Sequence, residues 1–311
     1  MKIAIIDMGT NTFNLLIAEI IKGGGYRILL KDKAGVKLGK GGINQNKISS
    51  EAFQRAIDAI DKHLKTIQKY NVGQIFTTAT SGVRSAQNGK ELVDILEKQF
   101  NIKIQIISGD EEAELIYRGV KQTVEFNEHN ALILDIGGGS NEFVIANKSG
   151  LLWKKSFGLG MARLLDRFNP SDPITSHEIA AVENYIDNNL TPLYEAIKKY
   201  QPTKLIGCSG TFDSFRAMIM AKKESIPDHI KEENHYLINL DDYKNLHQEL
   251  IQSTTAERLK MEGLEIVRVE IIVLASIFVN FILRKLTLKT IIQSNFAIKE
   301  GLMDKILNSK I

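Results

Sequence analysis

The chain has 311 residues, of which 43% are hydrophobic and 25% are charged, and its formal net charge is +3. This composition excludes a disordered or fibrous chain, and the weak positive charge excludes a dedicated nucleic-acid binder. The length favours two domains. A polyanionic partner would have to meet a local cluster of positive side chains, because the chain as a whole is not strongly basic.

The sequence lacks the features that direct chains to secretion or to membranes. Its only cysteine is Cys208, which excludes an intrachain disulfide scaffold. The first apolar run ends at Asp7, too early for a signal peptide. The most apolar segment, residues 271–283, is shorter than the roughly twenty residues that a bilayer requires, so we expect a buried core helix. We therefore expect a cytoplasmic chain with no membrane partner.

Short apolar runs and turn signals alternate through the first third of the chain. The predicted strands cover residues 3–6, 13–21, 26–30, 74–78 and 103–107. The predicted helices cover residues 51–70, which Ser49 or Ser50 can cap, and residues 89–99. This alternation predicts an α/β architecture in which helices cover the strands.

The pattern of the first strands then repeats. A buried strand over residues 131–135 ends in Asp135, as the first strand ends in Asp7, and each is followed by a glycine-containing turn and another apolar strand. The repeat predicts two similar domains, with a chance coincidence of two strand–turn–strand units as the alternative. A polar segment, residues 124–130, separates the units, so we place the domains at residues 1–124 and 125–311.

The turns after the two aspartates suit phosphate and a divalent cation. Asp135 can hold Mg²⁺ directly or through water, and Glu142 can add a second carboxylate. Glycines allow backbone N–H groups to approach phosphate oxygens closely. The candidate phosphate-binding residues of the second turn are Gly137, Gly138, Gly139 and Ser140. Those of the first turn are Asp7, Gly9, Thr10 and Asn11.

A third loop, Ser209-Gly210-Thr211, follows a predicted strand over residues 204–206. We expect it to open a helix that begins at Thr211 or Phe212. A helix N-terminus with small residues binds anions, but an ordinary N-cap explains Thr211 equally well.

Other familiar motifs are missing from the sequence. Residues 35–41 resemble a Walker A loop but are one residue short and lack its final Ser or Thr. The six histidines, at positions 63, 129, 177, 229, 235 and 247, have no metal-ligand spacing, and we interpret them as structural or solvated.

An acidic run at residues 110–114 contains an acid with no evident structural role. Ser108 and Glu111 have the spacing of a capping box, so Glu111 closes the start of a helix. Glu112 is left over and could orient a water molecule and accept its proton, although a simply solvated side chain is an equal alternative. Arg84, after another strand, could clamp a phosphate oxygen or be a surface charge.

Together these segments resemble the exopolyphosphatase/guanosine pentaphosphate phosphohydrolase (Ppx/GppA) family, within the superfamily of actin-like ATPases and sugar kinases. The resemblance covers essentially the whole chain, with the segments in the family's order. The matching segments are DMGTNTF (7–13), ATSGVR (79–84), ISGDEEA (107–113), LDIGGGSNE (134–142), GCSGT (207–211), RVE (268–270) and AIKEG (297–301). The chain departs from the family at Asn141, where Thr is usual, and at Lys37, where Arg is common.

The resemblance implies an α/β fold of two duplicated actin-like (ribonuclease H-like) domains with the substrate in the cleft between them. It implies that Glu112 is the general base and that Asp135, Glu142 and Asp7 serve Mg²⁺ or position water. The helix after Thr290 would pack back on the first domain. Longer members carry a further metal-binding helical domain, and we expect the short two-domain form here. The residues implied to hold phosphates are Asp7, Thr10, Asn11, Arg84 and the turn 137–140.

We therefore predict a Mg²⁺-dependent exopolyphosphatase that hydrolyses the terminal phosphoanhydride of polyphosphate and releases orthophosphate. The nearest alternative is hydrolysis of guanosine pentaphosphate, the family's other activity. A non-catalytic sensor of alarmone or polyphosphate, and a sugar or acetate kinase, are the remaining alternatives. We keep a homodimer as an expectation for the assembly.

Overall fold

The computed structural model describes residues 1–223 and 233–309. Within these ranges the chain forms two β-sheets covered by helices. The strands are β1 (Lys2–Met8), β2 (Thr12–Ile20), β3 (Tyr26–Gly35), β4 (Gln74–Ala79), β5 (Ile104–Ile106), β6 (Ala131–Ile136), β7 (Asn141–Asn147), β8 (Gly150–Phe157), β9 (Lys204–Cys208), β10 (His235–Ile238) and β11 (Ile291–Ser294). The helices are α1 (Ser50–Gln68), α2 (Ser81–Arg84), α3 (Gly89–Phe100), α4 (Gly109–Val120), α5 (Met161–Phe168), α6 (Ser176–Asn189), α7 (Thr191–Tyr200), α8 (Ser209–Ala221), α9 (Leu240–Gln252), α10 (Thr255–Arg258), α11 (Ile272–Lys285) and α12 (Ile298–Asn308), with a 3-10 turn over Ile266–Arg268.

The two sheets share one strand plan. The first has the order β3-β2-β1-β4-β5, and the second has the order β10-β11-β9-β6-β7-β8. Strand β1 pairs antiparallel with β2 and parallel with β4, and β6 pairs in the same way with β7 and β9. The register matches as well, because Asp7 faces Asn14 and Asp135 faces Glu142. The predicted duplication and the α/β class are confirmed.

Strand β3 is longer than the sequence pattern predicts. It extends to Gly35, five residues beyond the predicted end at residue 30. The added part includes Lys31, Asp32 and Lys33 and alternates between half-buried and exposed positions. An edge strand with one face in solvent tolerates such charges, so an apolar run marks only part of it.

A shared apolar core joins the two halves. Helices α4 and α12 pack against each other between the sheets, and the cluster around them contains Ile3 from β1 and Ile133 from β6. Both strands are buried along nearly their whole length, which explains their continuous apolar sequences. This core holds the strand ends of the two halves in a fixed relation, which positions the site described below.

The most apolar segment of the chain forms a core helix, as predicted. Helix α11 buries eleven side chains, among them Phe278 and Ile282, in the core of the second half. None of the helices within residues 1–223 and 233–309 combines the length and the hydropathy that a bilayer-spanning helix requires.

Two histidines are buried in the core and form hydrogen bonds within the protein. His63 Nε2 lies 3.1 Å from the carbonyl oxygen of Phe13, and His247 Nδ1 lies 2.6 Å from Ser276 Oγ. Both contacts agree with the structural interpretation of these rings. His229 lies outside the described residues.

We expect His247 to make the protein less stable in acid. Burial and the nearby charge of Arg284 lower the pKa of His247 to about 4. Between pH 6.5 and pH 4 the unfolded chain therefore binds a proton at this ring, whereas the folded chain does not. The free energy of unfolding should therefore fall by about 3 kcal/mol over this interval because of this ring alone. Urea unfolding of a His247→Gln variant at pH 4 to 7 should show a correspondingly shallower pH dependence, and the exposed His129→Gln should not.

Candidate active site

The carboxyl ends of β1 and β6 meet at a cavity of about 140 Å³. Residues from both halves line it, as expected where the strands of duplicated α/β units end. The predicted site residues that line this cleft are Asp7, Gly9, Thr10, Asn11, Glu112, Asp135, Gly137, Gly138, Gly139, Ser140, Glu142, Ser209 and Gly210. Two predicted site residues, Arg84 and Thr211, are not among the lining residues.

The turns of the two halves touch each other on the floor of the cleft. A Cβ built on Gly138 would lie 2.8 Å from the Asn11 side chain, and one on Gly139 would lie 2.7 Å from Thr10 Oγ1. A side chain at either position would force Asn11 or Thr10 to shift. The glycines therefore allow the close approach of the two turns, in addition to any contact with phosphate.

The two equivalent aspartates are buried and carry raised pKa values. Asp7 accepts a hydrogen bond from Asn14 Nδ2 at 3.1 Å, and its Oδ1 has no hydrogen-bond partner among the described residues. Asp135 accepts a hydrogen bond from Ser209 Oγ at 2.6 Å. Burial raises the pKa of Asp7, and burial followed by the charge of Glu142 raises the pKa of Asp135 to about 7. Both side chains therefore gain from a nearby cation.

Glu142 is held by two serine hydroxyls. Ser140 Oγ donates to Glu142 Oε1 at 2.6 Å, and Ser156 Oγ donates to the same oxygen at 2.7 Å. The hydroxyl of Ser140 thus positions a carboxylate of the site. Burial raises the pKa of Glu142, and the two serine hydrogen bonds oppose this.

Glu112 lies in the cleft, one residue after the glutamate that caps the start of helix α4. Ser108 and Glu111 form the predicted capping box at the start of α4. The next side chain, Glu112, points into the cleft with only 5% of its surface exposed, so it is not a solvated surface acid. Arg84 Nη1 donates to Glu112 Oε2 at 2.8 Å. Burial and then the charge of Glu142 raise the pKa of Glu112 well above its usual range, and Arg84 partly offsets them.

The third loop differs from the prediction at its helix start. Helix α8 begins at Ser209, and Cys208 occupies the cap position, so the predicted start at Thr211 or Phe212 is wrong. Ser209 has a φ of 64°, in the left-handed region that is uncommon for residues other than glycine. This backbone conformation accompanies the hydrogen bond to Asp135. Thr211 falls inside the first turn and is 1% exposed beneath the cleft.

The cleft also contains cationic side chains that the sequence pattern does not predict as site residues. Arg268, Lys299 and Lys33 all line the cavity. The guanidinium of Arg268 covers Gly210, where a Cβ would lie 1.5 Å from Nη2. Arg268 and Lys299 fall within the RVE and AIKEG segments of the family resemblance, but no strand–turn pattern assigns them a role. They supply positive charge to a lining that also contains six carboxylates, so they can pair with part of the charge of a polyanion.

The acids and cations of the cleft affect one another. Burial acts against the charge of Lys299, but neighbouring carboxylates including Asp7 and Asp135 raise its pKa overall. Glu112, the two aspartates and the two cations thus line one cavity.

The carboxylates do not form a ready-made metal cage. Among residues 1–223 and 233–309, no group of three or more His, Cys, Asp or Glu side chains is placed to hold a metal ion. The predicted ligands Asp7, Asp135 and Glu142 line one cavity without being gathered around a common point.

The model of the Ppx/GppA phosphatase family matches residues 16–310. Exopolyphosphatase 1 of Mycobacterium bovis is 24% identical over 311 residues, which cover 100% of this chain and 89% of the relative. A crystal structure of an exopolyphosphatase from Cytophaga hutchinsonii is 40% identical, covers 99% of this chain and 98% of its own, and superposes with a TM-score of 0.95. An Aquifex aeolicus member of the Ppx/GppA family, 19% identical, shares the fold with a TM-score of 0.78 over 100% of this chain and 98% of its own.

These matches confirm the family resemblance and the two-domain actin-like fold. The family model extends over nearly the whole chain, including every residue of the cleft from Glu112 onward. The chain therefore belongs to the Ppx/GppA phosphatase family.

Proposed function

We propose that this protein is a Mg²⁺-dependent exopolyphosphatase, which hydrolyses the terminal phosphoanhydride of inorganic polyphosphate and releases orthophosphate. One observation carries the proposal above all: a buried carboxylate, Glu112, lines the same cavity as Arg268 and Lys299. A general base and a binding site for a chain of negative charges are thus combined in one cavity. The names of the similar Cytophaga and Mycobacterium proteins support the same activity.

The residues of the cleft suit an in-line attack on a terminal phosphate. Glu112 accepts the proton of a water molecule as the water oxygen bonds to phosphorus. The P–O bond to the next phosphate breaks, and the leaving oxygen keeps its electrons as part of the shortened chain. Arg268 and Lys299 bind the negative charges of the chain before and after the bond breaks. The raised pKa of Glu112 makes its carboxylate a stronger base than an ordinary glutamate.

The donor set suits a Mg²⁺ ion that is shared with substrate. Mg²⁺ is commonly held by one or two carboxylates together with phosphate oxygens and water, so an all-protein cage is not needed. Asp7 Oδ1 is buried without a hydrogen-bond partner among the described residues, and Asp135 has a pKa raised to about 7. Asp7 and Asp135 would hold the ion, with Glu142 beside them. The ion would neutralise charge on the phosphate that is transferred.

The lining of the cleft favours polyphosphate over guanosine pentaphosphate. A guanine base is commonly held between aromatic side chains or arginine planes. None of the described residues that line the cleft is aromatic, and its one arginine, Arg268, lies with its guanidinium against Gly210. Backbone turns, hydroxyls and cations account for most of its wall, and these groups recognise phosphates.

Orthophosphate release from polyphosphate of defined length, with Mg²⁺ and with a chelator, tests the proposal. We expect release that requires Mg²⁺ and proceeds from the chain end, with slower release from guanosine pentaphosphate. Faster release from guanosine pentaphosphate would assign the protein to the family's other activity. Tight binding of either compound without release would make it a sensor, and phosphate appearing only on an added acceptor would make it a kinase.

We expect Arg268→Gln to weaken polyphosphate binding more than turnover. Arg268 is 12% exposed, and its Nε lies 3.6 Å from Glu265 Oε2, which keeps Lys33 as a partner after the substitution. Loss of one charge-assisted contact of about 1.5–3 kcal/mol should raise KM by about 10–100-fold. Steady-state kinetics should show this change, and Arg284→Gln on the exposed end of α11 should not. An unchanged KM in Arg268→Gln would remove this side chain from substrate binding.

A further inference from the structure

A second cavity, of about 420 Å³, adjoins the cleft beside Glu112. It shares Ser81 and Ser140 with the wall of the cleft. We call it the arginine pocket, after the three arginines in its lining, Arg84, Arg163 and Arg167. The two cavities are thus neighbours that are divided by a thin wall of small polar side chains.

The arginine pocket is positively charged without a matching acid. Its described lining contains no aspartate or glutamate. Arg163 donates to the carbonyl oxygens of Gly139 and Ile43 at 3.0 and 2.9 Å and to Ser85 Oγ at 2.7 Å, all of them neutral. Arg167 lies 4.3 Å from the centre of the Tyr185 ring and forms no ion pair with a described residue. Only Arg84 binds a carboxylate, that of Glu112.

The lining suits a small anion with several oxygens. Guanidinium groups bind phosphate oxygens through their planar pairs of donors. Cations that are gathered around a cavity repel one another, and an anion between them relieves that repulsion. Orthophosphate has the size and the charge for this role.

The position of the pocket places it on the side of the attacking water. Arg84 lines the pocket and donates to Glu112 Oε2, whereas Arg268 and Lys299 line the cleft and not the pocket. In an in-line reaction the transferred phosphate moves towards the water and away from the leaving chain. The released orthophosphate therefore forms next to the wall that the two cavities share.

We infer that the arginine pocket binds the orthophosphate product and lets it leave the enzyme separately from the shortened polyphosphate chain. This inference rests on the proposed function. It predicts an order of release, with orthophosphate first and the chain second. The chain can then stay in the cleft, and its new end can advance for another cycle.

The pattern of product inhibition tests the order of release. A product that leaves first, while the other still occupies the cleft, inhibits non-competitively or in a mixed pattern against substrate. A product that leaves last through the cleft inhibits competitively. We expect inorganic phosphate to inhibit non-competitively against polyphosphate. Purely competitive inhibition would overturn the inference.

A binding experiment tests the pocket without relying on turnover. Arg167 is exposed and lies over the Tyr185 ring, so Arg167→Gln should leave the fold intact, and Arg284→Gln removes another exposed charge elsewhere. We expect calorimetric titration with inorganic phosphate to give a Kd about tenfold higher for Arg167→Gln and unchanged for Arg284→Gln. The inhibition constant of phosphate should rise by the same factor.

Two results would contradict the inference. If Arg167→Gln and Arg284→Gln bind phosphate as tightly as the unaltered protein, the pocket does not hold phosphate. If Arg167→Gln instead raises KM for polyphosphate while the Kd of phosphate is unchanged, the pocket holds part of the chain and not the product. Because the titration needs no hydrolysis, phosphate binding can be established even if polyphosphate proves not to be the substrate.

Discussion

A Glu112→Gln substitution is expected to lower turnover on polyphosphate by a factor of about 10²–10⁴, the usual contribution of a general base. Glutamine has nearly the same shape but cannot accept the proton of the attacking water. Binding of the substrate should change little, because the predicted phosphate-binding turns and the cations are other residues of the cleft lining. Loss of the negative charge should also ease the repulsion with Glu142, which acts on Glu112 in the folded protein.

The adjacent position offers a matched control. Glu111→Gln makes the same chemical change one residue earlier, and glutamine can still close the capping box with Ser108. Turnover of Glu111→Gln should stay close to that of the unaltered protein. Single-turnover phosphate release separates chemistry from binding in both variants. Retained phosphate release in Glu112→Gln, or an equal loss in both variants, would show that Glu112 is not the base.

The repeat in the sequence predicts the carboxylates of the site because the equivalent strands of the two halves pair in the same way. Asp7 and Asp135 lie near the ends of equivalent buried strands, β1 of the first sheet and β6 of the second. The pairing of Asp135 with Glu142 follows from a short antiparallel hairpin, whose register holds over six residue pairs. Local spacing therefore places each carboxylate at the end of its own sheet, and the core shared by the two halves brings the two ends together.

The same local reasoning cannot assign the rest of the site. Arg268 and Lys299 reach the cleft from elements that follow both repeats, and only the packing of the two halves brings them there. Thr211 has a residue type that suits an N-cap, but helix α8 starts two residues earlier, where Ser209 takes a left-handed conformation and bonds Asp135. Glu112 is indistinguishable from a surface acid until its burial is known, because its neighbours in the sequence are acidic and polar.

An Asp135→Asn substitution is expected to stabilise the free protein while it weakens the Mg²⁺ dependence of turnover. Asp135 is 4% exposed, and burial and then the charge of Glu142 raise its pKa from 3.8 to about 7. Above pH 7 the folded protein must hold a carboxylate that the unfolded chain ionises freely, which costs up to about 4 kcal/mol. Asparagine removes this charge and can still accept the hydrogen bond from Ser209 Oγ.

The gain in stability from Asp135→Asn should depend on pH. Below about pH 3.8 the carboxyl is protonated in both states, so the substitution should have little effect on stability there. Between pH 4 and 7 the contribution of Asp135 to the stability of the unaltered protein becomes progressively less favourable, and the advantage of Asp135→Asn should grow to roughly 2–4 kcal/mol at pH 8. Urea unfolding with a chelator at pH 4 and pH 8 measures this, with Asp58→Asn on the exposed face of α1 as the control. An equal effect at both pH values would contradict the assignment.

Adding Mg²⁺ should make the unaltered protein more stable than Asp135→Asn. An ion that binds only the folded state raises stability according to its affinity, so Mg²⁺ should raise the Tm of the unaltered protein and have less effect on Asp135→Asn. The Mg²⁺ concentration needed for half-maximal phosphate release should rise in the variant for the same reason. A carboxylate in a cation-binding site is expected to lower the stability of the free protein and to raise it when the cation binds. Its unfavourable charge is kept because the function requires it. If the two proteins gave the same Tm shift and the same metal titration, Asp135 would have no part in holding the ion.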